Sequence, residues 1–79
     1  MREIEFKMEI EYKEIRPGAE VEVEESFLQG GLVVYYTIKP AIAMSGNYKR
    51  SEALENLRGK VVSVRAGNGG GWYVSVAFE

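Results

Sequence analysis

The chain has 79 residues, a formal net charge of −2, no Cys and no His, and all 12 of its acidic residues are Glu. The length implies one small domain, of a size that buries only about 60% of its unfolded surface. Residue type alone excludes disulfides, ordinary zinc sites and histidine-based catalysis, so the fold must rest on apolar packing, strand pairing or self-association.

Apolar residues make up 46% of the chain and charged residues 28%, as in an ordinary globular protein and unlike a disordered one. The longest apolar run, residues 32–36, is far short of the roughly 18 residues that suggest a membrane span. The opening Met1-Arg2-Glu3-Ile4-Glu5 alternates charge with apolar residues, unlike a secretory leader. A soluble protein is expected, compatible with the cytoplasm, with no membrane partner. Charge is uneven: residues 1–28 hold nine Glu against four cations (−5), and residues 29–79 hold three Glu against six cations (+3). The basic half is too dilute for a strong nucleic-acid footprint.

Ile4, Phe6, Met8, Ile10 and Tyr12 alternate with Glu and Lys, which predicts a half-buried strand with a charged outer face. The phase breaks at Glu14-Ile15, where a bulge or strand end is expected. Arg16-Pro17-Gly18 is turn chemistry, with Pro presetting φ and Gly supplying a positive φ. Ala19, Val21 and Val23 alternate with Glu20, Glu22 and Glu24 as a second strand, antiparallel to the first if the turn is tight. A second phase shift falls at Glu24-Glu25, and Gln29-Gly30-Gly31 predicts a tight hairpin loop.

Residues 32–39 are rich in β-branched and aromatic side chains, with Val34, Tyr36 and Ile38 in one row and Val33, Tyr35 and Thr37 in the other. Such a strand is either covered on both faces or displays its second row. Pro40 should end its ladder. Residues 41–50 read as irregular, with a turn at Gly46-Asn47. Ser51 as N-cap, Glu52 and Glu55 early, Arg58 late and Gly59 as the stop predict a short helix near residues 51–58, with Leu54 and Leu57 facing inward. Residues 61–64 predict a fourth strand, 67–71 a flexible loop, and Trp72, Val74, Val76 and Phe78 the inner row of a fifth.

The expected fold is mainly β: a small five-stranded antiparallel, partly open barrel of order β-β-β-α-β-β, forming one domain over residues 1–79. Curling buries one row of each strand and shortens exposed edges. This order resembles the OB-fold, and more distantly SH3-like barrels. The OB resemblance implies an oligonucleotide- or sugar-binding face near Tyr35. The strict Glu/Lys alternation with Ile, Val and Phe, together with the lack of Cys and His, also resembles computationally designed β proteins.

For chemistry the sequence offers little. Ser45 and Lys49 could form a nucleophile–base pair, but the spacing is common by chance. The Glu rows lie opposite the apolar rows and read as solvated faces. The Gly67-Asn68-Gly69-Gly70-Gly71 stretch precedes a strand, not the helix a phosphate loop requires. No catalytic residue, cofactor or metal is expected. The candidate binding surface is Val33, Tyr35, Tyr48, Lys49, Arg50 and Tyr73. Its first reading is a scaffold or protein-interaction module, self-associating through an exposed strand edge or face. Its second is single-stranded nucleic-acid binding by stacking beside cations, against which the net charge of −2 counts.

Overall fold

The computed structural model describes residues 1–39 and 43–79. Among the described residues seven strands form: β1 (Arg2–Met8), β2 (Glu20–Leu28), β3 (Val33–Lys39), β4 (Ala43–Ser45), β5 (Tyr48–Lys49), β6 (Arg58–Ala66) and β7 (Trp72–Phe78). They run β2-β6-β7-β1-β4-β3, and β3 pairs back to β2, closing a ring of six antiparallel staves. The barrel expected from sequence is therefore present, with six staves in place of five.

The extra stave comes from residues read as irregular. β4 and β5 pair with opposite ends of β3, Ile38↔Ala43 at one and Val33↔Lys49 at the other, so they are one stave interrupted at Gly46-Asn47. At the interruption the Ser45 side chain replaces a backbone partner. Its Oγ accepts from the Tyr36 N–H at 2.8 Å and donates to the Gly46 carbonyl at 2.8 Å. Pro40, read as the end of the β3 ladder, lies with Ala41 and Ile42 outside the described residues.

The alternating rows decide the core. Ile4, Phe6 and Met8 of β1, Val34, Tyr36 and Ile38 of β3, and Val74, Val76 and Phe78 of β7 are all buried. Val21, Val23, Ala43, Val61 and Ile15 complete the cluster. Phe6 and Phe78 meet with ring centroids 6.4 Å apart. Burying these side chains contributes about 1.5–3 kcal/mol each before chain entropy is charged against it.

Four expectations are corrected. The first strand ends at Met8, opposite Trp72 where β7 begins, and Ile10 is left 65% exposed. β1 and β2 do not pair. The Arg16–Ala19 turn is tight (Ala19 N–H to Arg16 carbonyl, 3.0 Å, with Gly18 at φ +90°), but β4 and β7 already occupy both edges of β1. The phase shift at Glu24-Glu25 is no bulge, since β2–β3 register is unbroken from Glu22 to Leu28. A register shift falls in β6 instead, between Val61 and Ser63.

The helix near residues 51–58 is also absent. A single 3-10 turn spans Arg50–Glu52, and the chain then runs irregularly, with a bend at Glu55, to β6. The cause is competition for backbone groups. The Leu54 N–H donates to the Tyr36 hydroxyl at 2.7 Å, and the Leu57 carbonyl accepts from the Val23 N–H at 2.8 Å. A two-turn helix with two apolar residues offers too little burial to outweigh these tertiary bonds.

Candidate functional site

The two rows of β3 have different fates. Val34, Tyr36 and Ile38 fill the barrel, while Val33, Tyr35 and Thr37 point outward and stay half-exposed. Register places further uncharged groups around them: Ser26 opposite Tyr35, Leu28 opposite Val33, and Met44 opposite Thr37. Leu28 is 40% and Met44 46% exposed. Among the described residues, β3 packs mainly against its own sheet partners and the adjoining turn. The result is an apolar patch flanked by charged groups on the outside of the barrel.

The hairpin end adds exposed apolar groups beside the patch, with Phe27 on the opposite parity, across from Val34. Gln29, Gly30 and Gly31 all take positive φ, and the glycines do so without steric cost. This tight reversal leaves Phe27 52% and Leu32 70% exposed. The Arg50 guanidinium sits 5.5 Å from the Phe27 ring centre and reaches the Gly31 carbonyl at 3.4 Å. Lys49 lies beside Val33. At the opposite corner Glu24 lies beside Thr37 and pairs with Lys39 at 3.8 Å. Two corners of the face thus carry opposite charges, and the other two carry Leu28 and Met44.

The six sequence-selected residues do not form one site. Val33, Tyr35 and Lys49 share the outer face, and Arg50 flanks it at the hairpin end. Tyr48 points inward opposite Val34; its ring centre is 6.5 Å from that of Tyr36, and Arg2 covers it at 5.2 Å. Tyr73 lies on β7, separated from β3 around the ring by β1 and β4. There it stacks under Arg65 at 5.4 Å, and Arg65 also pairs with Glu5. The stacking platform required for nucleic acid is therefore divided between two sides of the barrel and its interior. Ser45, the candidate nucleophile, spends its hydroxyl on Tyr36 and Gly46.

Sequence reasoning missed Leu28 and Met44. Leu28 was legible in principle, since it shares the outward parity of Glu20, Glu22 and Glu24. Met44 gave no signal, because a three-residue strand shows no alternation.

Inside the barrel one polar network stands out. The Tyr36 hydroxyl donates to Glu25 Oε2 at 2.7 Å and accepts the Leu54 N–H at 2.7 Å. Burial pushes its pKa above the ordinary tyrosine value. The Leu54 bond works against that rise, and the Glu25 carboxylate adds to it. This network ties residues 53–57 across to β2 and β3.

A surface depression of about 440 Å³ lies elsewhere, bordered by Glu20, Arg58, Lys60, Val62 and Ala77. Arg58 there is shared between Glu20 and Glu22, both at 3.9 Å, so its charge is already balanced. No known protein family, curated protein or solved structure matches the chain.

Proposed function

We propose that the protein is a non-enzymatic β-barrel interaction module that docks partners through the outer face of β3. One observation carries the reading: Leu28, Val33, Tyr35, Thr37 and Met44 form a continuous uncharged surface that stays partly or fully exposed. Apolar patches rimmed by charge mark interaction sites more often than chance exposure does. Most of the remaining sequence serves the fold itself, in the style of designed β proteins: buried rows inside, and Glu and Lys rows outside. The OB-type role in oligonucleotide binding retains only the small closed barrel as support, because its aromatic residues are dispersed.

The test uses an apolar anionic dye, 8-anilinonaphthalene-1-sulfonate, titrated into 15N-labelled protein. The reading expects enhanced fluorescence, with amide shifts gathered on Ser26, Leu28, Val33, Tyr35, Thr37, Met44 and Lys49. Shifts centred on β6 and β7, or no binding while the fold is intact, would remove it.

A further inference from the structure

We infer that the outer face of β3 binds a second copy of this chain, as a two-fold dimer whose β3 strands cross at nearly right angles. The inference rests on the docking reading above and adds the identity of the partner.

The face is close to square. Val33 to Thr37 spans about 13 Å at roughly 3.3 Å per residue, and β2 to the β4–β5 stave spans about 10 Å at roughly 4.8 Å per strand. Its four corners are Leu28, Lys49, Met44 and Glu24, with Tyr35 at the centre. Lys49 and Glu24 occupy opposite corners, as do Leu28 and Met44. A two-fold axis lying in the interface can run in several directions, and charge selects among them.

With the axis along β3, Lys49 meets the partner's Leu28 and Glu24 meets the partner's Met44. With the axis across β3, Lys49 meets the partner's Met44 and Glu24 meets the partner's Leu28. Both desolvate unpaired charges against apolar groups, which is costly. With the axis along the Leu28–Met44 diagonal, Lys49 meets the partner's Glu24, and the symmetry repeats that pair. Leu28, Tyr35 and Met44 then each meet their own copies along the axis. Only this diagonal arrangement matches charge with charge and apolar with apolar, as an isologous interface requires. It also crosses the strands at about 90°, one of the two preferred angles for stacked sheets. Lys39 already holds Glu24, so the incoming Lys49 completes a three-charge cluster at each end.

Area sets the strength. The face measures about 130 Å² between backbone positions, well below the about 800 Å² per partner of a standard interface. Association is therefore expected to be weak and to need high protein concentration.

The experiment is sedimentation equilibrium across a concentration series to about 1 mM, at low salt, on the wild type and on Lys49→Glu and Glu24→Lys, with circular dichroism confirming each fold. The wild-type mass should rise from 8.9 kDa toward twice that value. Lys49→Glu places glutamate against glutamate at both ends, and Glu24→Lys places lysine against lysine, so each alone should associate about tenfold more weakly. Mixed in equal amounts, the two variants present opposite charges at both ends, and association should return. A wild type that stays monomeric throughout, variants that associate unchanged, or a mixture with no gain would each overturn the dimer. If the dye still maps to the face while the wild type stays monomeric, the second-copy inference fails and the docking surface stands. If the dye fails to map there, both fall.

Discussion

Replacing Tyr36 with Phe removes one oxygen and leaves the ring, so it isolates the polar network inside the barrel. That oxygen makes two 2.7 Å bonds, donating to the Glu25 carboxylate and accepting from the Leu54 N–H. A neutral bond contributes about 1 kcal/mol net and one to a charged group about 1.5–3 kcal/mol, while the deleted hydroxyl no longer bears its own desolvation cost. The expected loss is about 1–3 kcal/mol in urea unfolding at pH 7. In a domain of this size each kcal/mol corresponds to roughly 4–8 °C in Tm.

The same variant carries a pH signature. Burial raises the Tyr36 pKa in the folded state, so the unfolded chain loses this proton first as pH climbs. The proton's stabilising contribution is complete below the ordinary tyrosine value of 10.0 and is lost as pH rises through the higher folded value. Wild-type stability should therefore fall more steeply above pH 10 than that of Tyr36→Phe, and the gap between them should narrow. A Tyr36→Phe protein as stable as wild type at pH 7, with a parallel decline at high pH, would refute the network's role.

Three further outcomes follow from the packing and the surface. Phe6 is fully buried, so Phe6→Ala should cost about 3–5 kcal/mol by denaturant titration, whereas Glu9→Ala on the charged face should change stability by well under about 1 kcal/mol. Equal effects would mean that Phe6 does not point into the barrel. A Cβ at Gly59 would stand 2.6 Å from the Ala77 carbonyl oxygen and 2.8 Å from Val76, so Gly59→Ala should destabilise by about 1–3 kcal/mol or more in thermal unfolding. A short single-stranded oligonucleotide should show no electrophoretic shift even at low salt, where phosphate contacts are strongest; a clear shift would revive the stacking role for Tyr35 with Lys49 and Arg50.

Much of the barrel was legible because period-two alternation states directly which side chains go inward. Ile4, Phe6 and Met8, and again Val74, Val76 and Phe78, are buried as their spacing implied. Misreadings arose where local pattern and tertiary pairing diverge. Residues 51–58 carry helix-end chemistry, but their backbone groups are claimed by Tyr36 and Val23 from other strands. Glu25 looked like a break in phase. It is an inward carboxylate whose position is justified by one hydroxyl eleven residues away in the next strand, Tyr36. The stave at 43–49 was invisible because it is short, interrupted, and completed by a serine side chain.

The candidate surface was half legible for a related reason. Val33 and Tyr35 could be placed on a second row from sequence, since they alternate with an obvious core row. Tyr48 and Tyr73 could not, because a tyrosine beside cations in sequence does not reveal which way its strand faces. Pairing register settles that: Tyr48 opposite Val34 turns inward, and Tyr73 opposite Lys7 turns outward on the far stave.

Single cysteines at Val33, Val34, Tyr35, Thr37 and Ile38 test the central claim most directly, because the chain has no thiol of its own to interfere. Reaction with a small disulfide reagent in dilute solution should be fast at positions 33, 35 and 37 and slow at 34 and 38. Uniform protection along β3 would show that its outer row is covered, and uniform reactivity would show that the barrel is not packed around its inner row.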